Sequence, residues 1–159
     1  MAKNNVLDLG CGNGNQSIIW SSLGLNVDAV DIQKQEIKNV NFIQKDIRDF
    51  RIEKNRYSII IINFVLHYLE KEEALKILSE IRNNIRKDGY LFFQGLSIKD
   101  KSFKNRIMIN KGVFEINDIQ KIFKHNNIIE IYEYSLQDKP HKGYNKIHKH
   151  DIVKAIIKF

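Results

Sequence analysis

Apolar positions along this chain fall into short runs separated by polar, glycine-bearing turns. Val6 to Leu9 is a strand-length run closed by a glycine-rich turn, and Asn15 to Leu23 then carries a helix-length segment before Gly24. Val27 to Ile32 predicts a second strand, Gln33 to Lys38 a short helix or turn, and Val40 to Gln44 a third strand ending near Asp46. The β-branched run Ile59, Ile60, Ile61 and Ile62 has the pattern of a central strand covered on both faces. Ala74, Leu75, Ile77, Leu78, Ile81 and Ile85 then recur at helical spacing, Asp88-Gly89 stops that helix, and Tyr90 to Gln94 predicts the next strand. Repeated βα alternation calls for right-handed crossovers, hence an α/β, doubly wound, mostly parallel sheet with helices on both faces. The last third differs. Ile116 to His125 predicts a helix capped by Asn117, and Ile128 to Ser135 and Asp151 to Phe159 predict a C-terminal antiparallel strand pair joined by a polar loop around Pro140 and Gly143.

Composition narrows the class. A length of 159 residues with 43% hydrophobic, 28% charged and 10% aromatic residues predicts one globular domain over 1–159. The longest apolar run, Ile59 to Leu66, is interrupted by Asn63 and is far short of the roughly 20 residues that span a bilayer. No signal-like start is apparent, so the expected location is cytoplasmic and no membrane partner is expected. Cys11 is the single cysteine, which excludes an internal disulfide. The net charge of +7 would attract acidic partners, but Lys, Asn and Ile are abundant throughout, as in "KNNIIEI" and "IRNNIRK", and no basic motif interleaved with aromatics stands out. A nucleic-acid partner is therefore not favoured.

The chemistry begins in "VLDLGCGNG", where Gly10, Gly12 and Gly14 take alternate positions directly after a strand. Such a loop lets backbone approach a ligand closely and offers free N–H donors at the following helix start. A dinucleotide fingerprint needs its third glycine where this chain has Asn15, which disfavours NAD. Three successive strands deliver Asp8, Asp31 and Asp46 to one sheet edge, the edge at which ligands of open parallel sheets bind. The segment resembles the first motif of class I, Rossmann-like, S-adenosylmethionine-dependent methyltransferases: an acid, then Gly-x-Gly-x-Gly, matched by Asp8, Gly10, Gly12 and Gly14. The resemblance implies S-adenosylmethionine as cofactor, cradled by this loop with Cys11. It further implies that Asp31 accepts the ribose hydroxyls, Asp46 meets the adenine amino group, Ile32 and Ile47 pack on the ring, and the backbone of Ile62 and Asn63 borders the methionine end. Carboxylates also suit a ligand with a sulfonium and an ammonium group.

After the fourth strand, Asn63 to Leu69 resembles the "vLHHL" stretch of small-molecule methyltransferases, with Tyr68 in place of the second His. The Asn/Asp-Pro-Pro-aromatic motif of enzymes that methylate base or amide nitrogens is absent, since Phe64 and Val65 stand at the proline positions. The expected function is in-line methyl transfer to a small molecule. Other readings are a noncatalytic S-adenosylmethionine-binding subunit of a heteromer and an RNA or protein methyltransferase. His67 is a weak candidate for a general base, a packing or capping role being favoured. The final "DKPHKGYNKIHKHDIVKAIIKF" is similar to a terminal hairpin that often carries His-x-His in this group. His148 and His150 lie on one face of a strand, and with His141 and Asp138 nearby could hold a metal or a substrate. Methyl transfer needs no metal, and neither a cysteine nor a third well-spaced ligand accompanies the pair, so the expectation is a polar strand entrance without metal. One departure from the family is that five residues precede Val6, where members usually carry a helical cover. A second copy or a partner chain is expected to supply it, or the site stays open to a large substrate.

Overall fold

The computed structural model describes residues 5–101, 111–140 and 145–159. The Ile59–Asn63 strand, β4, shows how the fold is organised, because its side chains alternate between two cores. Ile60 and Ile62 join Leu7, Leu9 and Val30 in the larger core, whereas Ile61 joins Val6 and Val27 in a smaller one on the opposite face. Both faces of the sheet centre are therefore sealed, as a parallel sheet requires.

β1 (Asn5–Leu9), β2 (Asn26–Asp31), β3 (Asn41–Gln44), β4 and β5 (Tyr90–Leu96) pair in parallel, and β6 (Asn127–Asp138) and β7 (His148–Lys158) complete a seven-stranded sheet in the order β3-β2-β1-β4-β5-β7-β6. β7 runs antiparallel to both β5 and β6, which is the expected C-terminal pair. The order of the parallel strands switches direction between β1 and β4, and places the ends of β1, β2 and β4 around one crevice.

Helix α1 (Asn15–Ser22) covers the smaller core through Trp20, whose ring lies 5.5 Å from that of Phe92. Helix α2 (Lys71–Asn84) buries Ala74, Ile77, Leu78 and Ile81 in the larger core. Its start is a reciprocal capping box between Glu70 and Glu73. Helix α3 (Ile116–Ile122) is likewise opened by a box of Glu115 with Asp118, not by Asn117. It ends before His125, since Phe123 turns into the core and meets Phe159 edge-on at 5.8 Å.

Other boundaries also move. Of the short helix or turn expected over residues 33–38, no helix forms; the segment is irregular and runs into a turn at residues 38–39, where Asn39 takes a left-handed φ of 61°. β6 and β7 run beyond the apolar positions that predict them, to Asp138 and from His148, because the antiparallel ladder pairs backbone whatever the side chains are. Among the described residues no helix is long and apolar enough to cross a membrane.

Candidate functional site

The loop after β1 is held from below. Gly10 N–H and Cys11 N–H both donate to Val30 O, at 2.8 and 3.1 Å, and Gly14 N–H donates to Cys11 O at 2.9 Å. All three glycines have positive φ, of 70°, 53° and 77°. Their surroundings separate them. A Cβ on Gly10 would stand 2.3 Å from Val65, and one on Gly14 would stand 2.4 Å from Ile37, whereas one on Gly12 would meet nothing within 4 Å. Gly10 and Gly14 are thus required by packing within the chain. Gly12 faces open space at the mouth of a cleft.

That cleft has a volume of about 570 Å³. Gly10, Cys11, Gly12 and Asn63 form its inner wall. Asp31 and Ile32 bound it from β2, and Asp46 and Ile47 from the turn after β3. Asp31 accepts the N–H of Gly12 on Oδ2 and that of Gln33 on Oδ1, each at 2.9 Å. It is therefore not a bare strand end: one carboxylate joins the glycine loop to β2.

Asp8 and Gly14, expected at the site, are not in the lining of this cleft. Asp8 is 2% exposed and accepts the Ser17 hydroxyl at 2.6 Å, so it ties β1 to α1 beneath the loop. Burial raises its carboxyl above the ordinary value, partly offset by Ser17. Gly14 sits behind the loop against Ile37, and the side chain of Ile62 belongs to the core. Asp46 does reach the cleft, but Arg48 clasps its carboxylate, with Nη2 at 2.6 Å and Nε at 3.0 and 3.1 Å from the two oxygens. These bonds hold Asp46 below the usual carboxylate range.

The far wall brings residues that the sequence pattern did not single out as a wall. Phe64 follows β4 with φ of 50°, unusual for a bulky side chain, while its N–H donates to Gln94 O at 2.9 Å. Val65, Tyr68 and Leu69 continue the lining, to which Arg48 and Gln33 also belong. Phe64 carries no local signal of its conformation, whereas Arg48 was discoverable as a base two residues after a strand-end acid. Asn63 Oδ1 is buried without a hydrogen-bond partner among the described residues. The thiol of Cys11 is pushed up to about 12 by burial and by Asp8 and Asp31, so it stays protonated and is a poor nucleophile.

His67 does not line the cleft; its ring lies 4.1 Å from that of Tyr68. Burial first, and neighbouring His150 second, push it down to about 4. A neutral ring of such low basicity suits packing better than proton removal at neutral pH. His148 and His150 pair at the start of β7, with Asp138 across the hairpin. His141 lies outside the described residues.

The cleft thus offers acceptor groups, apolar surface and a glycine where ligand can touch backbone. Residues 6–89 match the family model described as methyltransferase domain. Ribosomal protein L11 methyltransferase of Campylobacter fetus subsp. fetus is 29% identical over 123 residues, covering 70% of this chain and 41% of that protein. The crystal structure of TehB from Haemophilus influenzae superposes on 99% of this chain and 58% of its own, with TM-score 0.77 and 19% identity. Burkholderia thailandensis 1,6-didemethyltoxoflavin-N1-methyltransferase, solved with 1,6-didemethyltoxoflavin and S-adenosylhomocysteine bound, superposes with TM-score 0.70 and 16% identity over 98% of this chain and 71% of that one. The chain spans between a third and two thirds of the length of the curated relatives it matches.

Proposed function

The chain belongs to the methyltransferase-domain family, and from that premise we propose that it transfers a methyl group from S-adenosylmethionine to a small-molecule acceptor. The observation that carries this reading is the open space over Gly12, beside an acid that already braces the same loop. A cleft of about 570 Å³ is of the size that holds small-molecule ligands. S-adenosylmethionine supplies an electrophilic methyl on a sulfonium, so a nucleophile attacking in line releases S-adenosylhomocysteine.

The chain's own residues divide the binding. Asp31 has acceptor capacity left after its two N–H bonds and takes the ribose hydroxyls. Ile32 and Ile47 flank the adenine, and Asp46, shared with Arg48, meets its amino group. Asn63 Oδ1, an acceptor without a donor, suits the ammonium end, beside the backbone of Ile62 and Gly10. None of these groups needs to take a proton, so the protein's work is alignment and exclusion of water.

Isothermal calorimetry is expected to register S-adenosylmethionine and S-adenosylhomocysteine and not NAD; equal NAD affinity overturns the cofactor assignment. A donor-label screen across small metabolites, RNA and protein then tests the acceptor. Label in small molecules supports the proposal. Label only in protein favours a protein acceptor, a reading supported by the L11 methyltransferase relative and by Tyr68, 73% exposed at the mouth of the cleft.

A further inference from the structure

The hairpin of β6 and β7 carries a second cluster at the same edge of the sheet, outside the lining of the cleft. Asp138 stands opposite His148 in the strand register, and His150 lies two residues further along β7. The two imidazoles therefore share one face of β7, and the adjacent strand contributes a carboxylate. One donor atom from each of Asp138, His148 and His150 lies within 4.8 Å of the others.

The ring nitrogens that converge decide what the cluster can do. His148 Nδ1 is 3.0 Å from Lys146 O, and His150 Nδ1 is 2.9 Å from Asp100 Oδ2. A carbonyl and a carboxylate accept hydrogen bonds, so both Nδ1 atoms carry the hydrogen, and a ring in its neutral form then presents its lone pair on Nε2. Those two Nε2 atoms stand 2.9 Å apart. That separation suits two nitrogens held by one cation, either a shared metal ion or a single shared proton. Two nitrogens at ordinary zinc–nitrogen lengths stand about 2.9 Å apart at a right angle and about 3.3 Å apart at the tetrahedral angle.

Asp100 strengthens the case. It is 1% exposed, and the same Oδ2 that receives His150 also accepts Asp151 N–H at 2.9 Å. Metal-bound histidines usually donate their second N–H to a carboxylate or a backbone carbonyl, and here each ring has one of the two.

We propose that Asp138, His148 and His150 bind one divalent transition-metal ion through both Nε2 atoms and the Asp138 carboxylate. Two imidazoles and one carboxylate suit zinc and its neighbours in the first transition row rather than magnesium or calcium, which prefer all-oxygen sites. Three protein ligands leave a coordination position for water or a bound molecule. Asp100 is a positioning residue that acts through His150.

The test uses the tag-free full chain, stripped with a chelator and titrated with zinc by calorimetry and with cobalt(II) followed by its visible absorption. One equivalent per chain is expected. His148→Ala and His150→Ala should each lower affinity by at least about a hundredfold, and Asp100→Asn by about ten- to a hundredfold, as outer-sphere partners do. Asp138→Asn, which keeps the side-chain shape, should weaken binding with unchanged circular dichroism and covers the case in which a histidine variant misfolds. Absence of saturable binding, or binding indifferent to His148→Ala and Asp138→Asn, overturns the site and leaves a pair of rings sharing one proton. The readout is the metal itself, so its failure leaves the methyl-transfer reading untouched.

Discussion

Gly12 and Asp8 show at the residue scale how one motif divides between ligand and fold. Gly12 has a φ of 53° and free space above it. Gly12→Val should therefore cost about 1–2 kcal/mol of stability through backbone strain, leave the circular dichroism of a folded chain, and lower S-adenosylmethionine affinity by more than tenfold. Calorimetry on the folded variant checks it, and unchanged affinity means the loop is only a turn. Asp8 behaves in the opposite way. Burial holds its carboxyl above the ordinary 3.8, so the folded chain binds that proton more tightly than the unfolded chain does. The resulting stability is fully present below the ordinary value and is lost as pH rises through the raised one. Asn imitates the protonated acid, so Asp8→Asn should melt higher than the parent at pH 7, with the gain vanishing towards pH 4. A lower melting temperature at pH 7 would mean that the Ser17 bond to the charged carboxylate outweighs burial.

Among the elements, β2 is held to its neighbours by one polar residue as well as by its ladder. Asp28 Oδ2 accepts the Tyr57 hydroxyl at 2.8 Å and Arg56 Nη2 at 2.7 Å, while Oδ1 accepts Asn41 Nδ2 at 2.8 Å. The carboxylate thus joins β2, β3 and the turn that enters β4. Asp28→Ala leaves the buried Tyr57 hydroxyl without this acceptor and should cost about 2–3 kcal/mol. That corresponds to a melting temperature lower by roughly 4–12 °C for a domain of this size. A loss under about 0.5 kcal/mol, read from denaturant titration, would show that the ladder alone holds β2.

For the whole molecule, the ends of β1, β2 and β4 and the turn after β3 meet only in the folded sheet, so a ligand in the cleft binds the native state alone. At a hundredfold excess over its dissociation constant, such a ligand adds about 2.7 kcal/mol. S-adenosylhomocysteine should therefore raise the melting temperature by roughly 5–10 °C, whereas NAD should not, and Gly12→Val should abolish the rise. An equal rise in that variant would place the ligand away from the loop. The cover of the cleft belongs to this scale as well. Tyr68 and Ile32 are 73% and 62% exposed at its mouth, where an acceptor or a second chain would bury them.

The alternating and periodic patterns were sufficient for the strand order in sequence, the glycine loop and the closing antiparallel pair, because backbone conformation and one-sided burial are local properties. Helix ends were misplaced where capping partners or a buried aromatic, as at Phe123, outweigh the pattern. Spacing marked Asp8, Asp31 and Asp46 alike, yet packing buries the first, ties the second to the loop and gives the third to Arg48. The sequence by itself determined a strand–glycine-loop–helix unit and the cofactor class it resembles. Only the tertiary structure decided which of those groups face the cleft, and that the Asp138 expected near His148 and His150 stands directly opposite His148. The register of an antiparallel ladder brings together residues that no local spacing connects.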